Sequence, residues 1–299
     1  MRVFVTGASG WIGSAVTDDL LAAGHEVTGL ARSDRSAAAL EAKGAWVRRG
    51  DLDDLDGLRL GAQDAEAVIH LANKHDWADP AGTAAAERAA VQTMGEALAG
   101  TGRPFLVAAG VAGLAQGRPA TEEDASPHHG PGSPRGGSEN LALEFAGQGV
   151  HSVSLRFAPT VHGTGDHGFI AILSAIAHEK GVSAYPGDGA NRWSAVHVRD
   201  AARLVTLGLG KAPAGSRLHA VAEEGVPTRA IAEAIGRAFD LPVSSIDPAD
   251  VPGHFGWIGT FFGMDLAATS TATQNLLGWT PTGPTLVEDL DAGAYAITR

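Results

Sequence analysis

The sequence predicts an α/β fold, in which a doubly wound parallel sheet is covered by a smaller C-terminal substrate-capping region. Over the first 110 residues, short apolar segments alternate with segments of helical periodicity. A glycine-rich turn follows the first apolar segment and leads directly into the first helix. Beyond about residue 160 the alternation weakens, which marks the start of a second region. Strands and helices that alternate in this way are typical of a parallel sheet with helices on both faces.

Six segments have the short, apolar character of buried parallel strands. The first of them, Val3-Phe4-Val5-Thr6, consists of β-branched and aromatic residues, which favour strands. The predicted strands span residues 3–6, 26–31, 45–49, 67–72, 104–109 and 150–157. Because the carboxyl ends of parallel strands meet at one edge of a sheet, we expect the active cleft at that edge.

The segments between these strands have helical spacing. In the first, residues 11–23, Ile12, Val16 and Leu20 recur on one face, and Gly24 is placed to end the helix. The other predicted helices span residues 37–43, 55–62, 81–99, 138–146, 168–179, 199–209, 228–239 and 269–277.

A long segment over residues 113–137 breaks this pattern. It is rich in Gly, Pro and Ser and has almost no periodicity, so we predict a loop that covers the cleft. The sequence therefore predicts a dinucleotide-binding domain over residues 1–160, to which residues 193–215 return. Residues 161–299 would form mainly the capping region.

Composition excludes several classes of protein. The chain has 299 residues and no cysteine, which excludes disulfides, thiolate nucleophiles and iron–sulfur clusters. A net charge of −12 argues against a nucleic-acid partner. No secretory signal, no apolar stretch long enough to span a membrane and no metal-binding motif is recognisable. We therefore expect a cytoplasmic protein that takes a small-molecule substrate, without nucleic-acid or membrane partners and without a metal.

The strongest motif is the turn after the first strand, residues 6–13. Gly7 permits a tight turn, Gly10 lets the backbone approach a pyrophosphate, and Gly13 allows the helix and strand to pack closely. The helix that follows would present free N–H groups and a partial positive charge to the phosphates. Since the turn lies between a strand and a helix, it predicts a Rossmann-type dinucleotide site.

The end of the second strand indicates which dinucleotide binds. NAD sites usually carry an acid about 20 residues after the turn to hold the ribose hydroxyl. Here Arg32 and Ser33 stand at that point, and a guanidinium can clamp a 2′-phosphate, which favours NADP(H). Alternatively, Arg32 is a solvated loop residue and Asp34 takes the hydroxyl. Further arginines lie nearby, at positions 35, 48 and 49.

These motifs resemble the short-chain dehydrogenase/reductase superfamily, together with Gly50-Asp51-Leu52 and His70-Leu71-Ala72. Residues 156–163, 187–200 and 276–281 resemble its extended, epimerase/dehydratase-like branch. The resemblance covers nearly the whole chain, and it also implies a possible homodimer. It further implies that the cofactor is lined, from pyrophosphate to adenine to nicotinamide, by Gly7, Ser9, Gly10, Trp11, Ile12 and Gly13, by Asp51 and Leu52, by Leu71 and Ala72, and by Pro159 and Val161. An aspartate after the third strand can equally be a simple turn residue.

The usual catalytic groups of that superfamily are missing. Its Tyr-x-x-x-Lys pair has no counterpart, because neither Tyr185 nor Tyr295 is followed by lysine four positions later. Counting back from the strand at residues 150–157 places Arg135 at the tyrosine position and Glu139 at the lysine position. The segment after the fifth strand, residues 108–112, has no hydroxyl group. The chain therefore resembles the atypical branch that has lost this pair.

Other groups are candidates for the chemistry. His162 follows the nicotinamide-side segment, and His75 follows the fourth predicted strand, so either could donate a proton. Arg135 and Glu139 could orient a substrate carbonyl, or could form a structural i,i+4 ion pair. Trp193 could line the pocket or belong to the core.

These observations favour an NADP(H)-dependent oxidoreductase that reduces a carbonyl or related C=X bond of a small organic molecule. A non-catalytic NADP(H)-binding sensor or interaction protein is one alternative, which the loss of the catalytic groups supports. A nucleotide-sugar epimerase or dehydratase is another, against which Arg32 and the missing tyrosine weigh.

Overall fold

The computed structural model describes residues 1–76 and 78–296, and in this part of the chain a large parallel sheet forms the centre. In chain order the strands are β1 (Arg2–Thr6), β2 (Glu26–Ala31), β3 (Trp46–Arg49), β4 (Ala67–His70), β5 (Pro104–Gly110), β6 (His151–Phe157), β7 (Thr160–His162), β8 (Ser183–Pro186), β9 (Arg192–His197), β10 (Arg217–Ala220), β11 (Glu223–Pro227) and β12 (Val243–Ile246). The helices are α1 (Trp11–Ala22), α2 (Asp34–Ala42), α3 (Leu55–Asp64), α4 (Pro80–Leu98), α5 (Ser138–Glu144), α6 (Phe169–Lys180), α7 (Val198–Lys211), α8 (Thr228–Phe239), α9 (Val251–Phe255), α10 (Ile258–Phe262), α11 (Thr271–Leu277) and α12 (Leu286–Asp291).

The large sheet has, within the described residues, seven strands in the order β10-β6-β5-β4-β1-β2-β3. Every neighbouring pair in it is parallel. The order runs outward from β1 in both directions, so that the crossovers place helices on both faces. The predicted fold class, a doubly wound parallel sheet, is therefore confirmed.

Both faces of the sheet are apolar, as a parallel sheet requires. One face packs against α1 and α7 through residues such as Leu106 and Leu155. The other packs against α3, α4 and α5 through Phe105. Helices α4 and α5 approach closely because Gly95 has no side chain, and a Cβ there would overlap the ring of Phe145.

The capping region has an apolar core of its own. Strands β7, β9 and β11 form a small sheet, and β8 pairs with β12. Trp193 is fully buried among the surrounding helices, with ring contacts to Phe169 and Phe262. Trp193 thus belongs to the core of the capping region, which was one of the two alternatives, and does not line a pocket.

The chain returns to the large sheet at a different place from the predicted one. Residues 192–197 form β9, which lies in the small sheet. The return is made by α7, which packs on α1, and by β10, which pairs with β6. The predicted return over 193–215 is therefore wrong for its first residues, and it continues to Ala220.

The predicted loop over residues 113–137 is irregular apart from a short 3-10 turn at Pro134–Gly137. It is held at several points. Ala120 bridges to Ala268 of the capping region, and the Asn140 side chain donates to the carbonyl oxygens of Ser126 and His128, at 3.0 and 2.7 Å. We call this segment the lid, because it joins the large sheet to the capping region at the edge where the cleft is expected.

A buried ion pair joins α5 to β6. The Arg156 side chain is fully buried, and its Nε donates to Glu139 Oε1 at 2.6 Å. The Ser154 hydroxyl donates to the same oxygen at 2.8 Å. A guanidinium withdrawn from water needs such a partner, because desolvation of an isolated charge costs several kcal/mol.

We predict that Glu139→Ala lowers the free energy of unfolding by about 3–5 kcal/mol, since it leaves the Arg156 guanidinium buried without its carboxylate. Urea denaturation measures this. Glu233→Gln, which removes one partner of the exposed Arg229–Glu233 pair, is the control and should behave as the wild type. Equal losses in the two variants would contradict the prediction.

Candidate active site

The glycine-rich turn between β1 and α1 has the shape needed to hold a pyrophosphate. Gly7 has a φ of 70°, and a Cβ there would lie 2.7 Å from the backbone nitrogen of Ala72. A Cβ on Gly13 would overlap the carbonyl oxygen of Gly7. Helix α1 begins at Trp11 without a side-chain cap from Gly10. Its first N–H groups are therefore available to an anion in front of the turn, and the cradle fits a dinucleotide.

Further residues predicted to contact the cofactor lie around this turn. Ser9 is exposed in it, and Ile12 is half-buried in the first turn of α1. The N–H of Leu71 donates to the Thr6 carbonyl at 3.2 Å, and the N–H of Ala72 donates to the Thr6 hydroxyl at 3.3 Å. These bonds hold the end of β4 directly against the turn.

The arginines at the ends of β2 and β3 differ in whether an acid neutralises them. Arg49 pairs with Asp34, and Arg48 pairs with Asp64. Arg32 is exposed, and it forms no hydrogen bond or ion pair with any residue that the structure describes. Asp34, the alternative partner for the ribose hydroxyl, has one carboxylate oxygen paired with Arg49, whereas the Arg32 guanidinium has no acid partner among the described residues.

Ser33 begins helix α2 immediately after Arg32. Its hydroxyl oxygen accepts from the Ser36 N–H at 3.2 Å, while the Ser36 hydroxyl accepts from the Ser33 N–H at 3.1 Å. This reciprocal cap explains why α2 begins at Asp34, earlier than predicted. It also places a guanidinium next to a helix N-terminus, two features that favour a phosphate.

The residues predicted near the adenine have structural contacts of their own. Asp51 Oδ1 accepts from the N–H groups of Asp53 and Asp54, at 2.9 and 3.2 Å, so Asp51 closes a turn. Leu52 is buried in the apolar core next to α3. The turn role of Asp51 was the alternative to cofactor binding, and it occupies one of the two carboxylate oxygens.

Trp11 connects the glycine-rich turn to the segment predicted beside the nicotinamide. Its Nε1 donates to the carbonyl oxygen of Val161 at 2.7 Å. The Trp11 ring also meets the His167 ring edge-on, with centroids 6.2 Å apart. Pro159, at the start of the same segment, is half-buried. The two ends of the expected cofactor cleft are therefore held together by direct contacts.

Arg135 and Glu139 do not form an ion pair with each other. The backbone is left-handed at Arg135 (φ 53°), Gly136 (φ 60°) and Gly137 (φ 63°), so no helical turn connects the two residues. Glu139 pairs with Arg156, whereas Arg135 pairs with Glu87 of α4. The predicted structural i,i+4 ion pair is therefore wrong, because the left-handed backbone at residues 135–137 interrupts the helix on which the two side chains would have been neighbours.

Glu87, Arg135, Ser138 and Asn73 form a hydrogen-bonded cluster, and Glu87 is the member that the sequence did not predict. It is fully buried, and its Oε1 accepts from Arg135 Nε at 2.9 Å, from Arg135 Nη2 and from the Ser138 hydroxyl at 3.0 Å. Its Oε2 accepts from the Asn73 side-chain amide. A signal was present, because Glu87 lies on the same helix face as Ala84 and Ala90, which are buried.

The structure brings His75 near this cluster. The backbone N–H of His75 donates to Asn73 Oδ1 at 2.8 Å, and its φ is 51°. The pKa of His75 is held below its ordinary value, chiefly because the ring is partly withdrawn from water and secondarily by the positive charge of Arg135. Glu87 acts on the same pKa in the opposite direction, and His167 lowers it further.

His162 lies in a different environment. It is fully buried, and its Nδ1 is 2.6 Å from Asp289 Oδ2 of α12. Burial lowers the pKa of His162, although the hydrogen bond to Asp289 opposes that shift. The groups that act on its charge include Asp289, His197 and Asp200. This burial inside the capping region argues against contact between His162 and a substrate.

His70 lies beneath the cluster, at the end of β4. It is fully buried and shares a hydrogen bond of 2.7 Å between its Nδ1 and the Thr6 hydroxyl. Burial lowers the pKa of His70 to about 4. In the part of the chain that the structure describes, no group of three or more His, Asp and Glu side chains could hold a metal ion. No helix there is long and apolar enough to cross a membrane.

We predict that His70 makes the protein sensitive to acid. Because the pKa of His70 is about 4 in the fold and about 6.5 in the unfolded chain, the unfolded chain binds the proton first as the pH falls. The free energy of unfolding should therefore decrease between about pH 6.5 and 4, by up to about 3 kcal/mol from this group. Urea denaturation over this range should show a weaker pH dependence in His70→Gln than in the wild type. The exposed control His178→Gln should follow the wild type, and an unchanged pH dependence in His70→Gln would refute the prediction.

Comparison with known proteins identifies a matching family and several relatives of similar length. The sequence pattern described as the NAD dependent epimerase/dehydratase family matches residues 3–220. An uncharacterized protein of Schizosaccharomyces pombe is 45% identical over 296 residues, which cover 99% of this chain and 100% of that protein. The 3-diazoavenalumate denitrifying reductase of a Streptomyces species is 29% identical over 301 residues, covering 95% of this chain and 97% of that protein.

A solved structure shares the fold. The UDP-glucuronic acid 4-epimerase from Bacillus cereus, in complex with UDP-glucuronic acid and NAD, matches with a TM-score of 0.76. The two chains are 19% identical, and the match covers 98% of each. The family pattern, which spans most of the chain, shows that this chain belongs to the NAD dependent epimerase/dehydratase family.

Proposed function

We propose that this protein is an NADP(H)-dependent oxidoreductase that reduces a carbonyl or related C=X bond of a small organic molecule. The observation that carries the proposal is that Arg32 is exposed and has no acid partner among the described residues. Arg48 and Arg49 are paired with Asp64 and Asp34, while Arg32 and Arg35 have no acid partner among the described residues. Of these two, Arg32 follows β2 directly, where the ribose of the cofactor would lie. A 2′-phosphate carries the charge that such a guanidinium binds best.

The residues that would hold the cofactor are those around the glycine-rich turn, with Arg32 and Ser33 at the 2′-phosphate. When bound, NADPH supplies the hydride, and the chain supplies position and charge. The full set proposed for cofactor binding is Gly7, Ser9, Gly10, Trp11, Ile12, Gly13, Arg32, Ser33, Asp51, Leu52, Leu71, Ala72, Pro159 and Val161.

For the substrate, we assign Arg135 to the oxygen that gains charge during reduction. Two of its nitrogens, Nε and Nη2, donate to Glu87, while Nη1 donates no hydrogen bond to the described residues. Fixed donors of this kind stabilise a developing oxyanion. His75, in the same cluster, would in its protonated form deliver the proton that the substrate oxygen takes up, and would regain a proton from water. Because the pKa of His75 lies below its ordinary value, this protonated form gains population as the pH falls. Glu139 and His162 have buried partners elsewhere and receive no catalytic role.

The relatives support the same class of reaction without defining the substrate. The Streptomyces relative is named a reductase. The Bacillus cereus structure is that of an epimerase, which keeps a nucleotide-sugar epimerase as the second candidate. An epimerase uses its nicotinamide in both directions within one cycle and has no need of a 2′-phosphate, so the preferred dinucleotide separates the two candidates.

We predict that the wild-type protein binds NADPH more tightly than NADH, and that Arg32→Ala removes this preference. A charge-assisted hydrogen bond is worth roughly 1.5–3 kcal/mol, so the affinity for NADPH should fall about 10- to 100-fold, with that for NADH unchanged. Isothermal titration calorimetry measures both. Arg59→Gln, on the surface of α3, is the control. Tighter binding of NADH by the wild type would favour the epimerase.

We predict that Arg135→Gln lowers kcat for NADPH oxidation about 100-fold or more, because it removes a fixed donor to the substrate oxygen. The assay uses 4-nitrobenzaldehyde as the carbonyl probe, followed by a panel of ketones and imines. The affinity for NADPH should stay within about twofold, since Arg135 lies outside the glycine-rich turn. If the wild type binds NADPH tightly but oxidises it with no probe, the non-catalytic NADP(H)-binding protein becomes the better hypothesis.

A further inference from the structure

We propose that Glu87 is a positioning residue, whose two carboxylate oxygens hold Arg135 and His75 together as one unit at the carboxyl edge of β4. The proposal rests on the proposed function, because it concerns the same cleft. It adds the group that holds the Arg135 side chain and, through Asn73, the backbone of His75, although it cannot itself reach a substrate from its buried position.

The first oxygen of Glu87 holds Arg135. Oε1 accepts from Arg135 Nε at 2.9 Å and also from Nη2, and it accepts from the Ser138 hydroxyl at 3.0 Å. Because two nitrogens of one guanidinium meet the same oxygen, the plane and direction of the guanidinium are defined. The third nitrogen, Nη1, takes no part in this contact.

The second oxygen of Glu87 holds His75 through an intermediate amide. Oε2 accepts from Asn73 Nδ2, and Asn73 Oδ1 accepts from the backbone N–H of His75 at 2.8 Å. Asn73 therefore donates on one side and accepts on the other. This arrangement connects the buried carboxylate to the loop that follows β4.

Backbone strain marks the same two residues. Among the described residues, the non-glycine residues with positive φ are His75 (51°), Arg135 (53°) and Asp240 (53°). Asp240 ends helix α8, where a left-handed residue is ordinary. His75 and Arg135 occupy no such position, and both are bound directly or through one amide to Glu87. Strained conformations of this kind persist only where the surroundings hold them, and they concentrate at functional sites.

The donors and acceptors of the cluster make the positioning role testable. In Glu87→Gln the single amide oxygen can serve Arg135, but the new NH₂ group then faces the NH₂ group of Asn73. Rotation of the Asn73 amide would relieve that conflict, but the NH₂ group of Asn73 would then face the backbone N–H of His75, and two donors would meet there instead. Either way, one of the two positioned residues loses its hydrogen bond.

A second substitution should restore the arrangement. With Asn73→Asp added to Glu87→Gln, the carboxylate at position 73 can accept from the new NH₂ group and from the N–H of His75. The amide oxygen at position 87 still accepts from Arg135. The double variant keeps the total charge and every hydrogen bond of the network. Asn73→Asp alone places two carboxylates side by side and should be worse than the wild type.

The experiment compares the two single variants, the double variant and the control Glu96→Gln, an exposed acid on the same helix. It uses the full chain with NADP⁺ bound. NMR reports the backbone amide signal of His75 and the pKa of its ring, which feels Arg135, Glu87 and His167. The same variants are assayed for NADPH oxidation with 4-nitrobenzaldehyde and for NADPH affinity.

We expect the His75 amide signal and ring pKa to shift in both single variants and to return towards wild-type values in the double variant. In parallel, kcat should fall about 10- to 100-fold in the single variants and recover in the double variant. The affinity for NADPH should change by less than about twofold throughout. A merely structural role would lower stability without this split between kcat and cofactor affinity.

Two results would overturn the proposal. One is that the single variants cannot be distinguished from Glu96→Gln by NMR. The other is a folded double variant whose His75 signal stays as displaced as in the single variants. If the wild type fails to turn over the probe, that failure counts against the proposed function, and the NMR comparison still decides whether Glu87 positions His75.

Discussion

A carboxylate that is withdrawn from water must be met by donors, and this requirement at Glu87 shapes the whole candidate cleft. An unpaired buried charge costs several kcal/mol, so the fold has to bring donors to the middle of α4. They come from the loop after β4 (Asn73), from the end of the lid (Arg135) and from the start of α5 (Ser138). Segments far apart in the chain are thereby held at one point, next to the carboxyl edge of the sheet.

The candidate site divides into a part that follows the family pattern and a part that departs from it. Gly7 and Gly13 make the close backbone approaches that a dinucleotide turn needs. The tyrosine and lysine that the resemblance leads one to expect are missing, and Arg135 and Glu139, which the sequence places at those positions, have separate partners, Glu87 and Arg156. The part that binds a dinucleotide depends on backbone shape, which tolerates little change. Proton transfer, in contrast, depends on side chains, which can be replaced while the sheet is kept.

A structural feature could be predicted from the sequence when residues close together in the chain cause it, and could not when distant residues cause it. The alternation of strands and helices, and the turn at Gly7, arise from neighbouring residues, so the parallel sheet was predictable. The relation between Arg135 and Glu139 was not, because counting along a helix assumes one hand of backbone and the chain is left-handed at Arg135. The role of Glu87 depends on Arg135, 48 positions away, and no local pattern records such a pair. The short strands of the capping region also pair with distant segments, as β7 does with β9.

The way the chain passes between the large sheet and the capping region limits how the cleft can open. Residues 158–159 connect β6 to β7, residues 221–222 connect β10 to β11, and β9 continues into α7 at Val198. Pro159 stiffens the first of these connections further, because its ring fixes one backbone torsion. Because several short connections join it to the large sheet, the capping region can rotate slightly about the line between them, but it cannot separate from the sheet as a region on one flexible linker could. The lid, by contrast, is a long irregular segment at this edge of the sheet, and its backbone can change conformation while these connections stay in place.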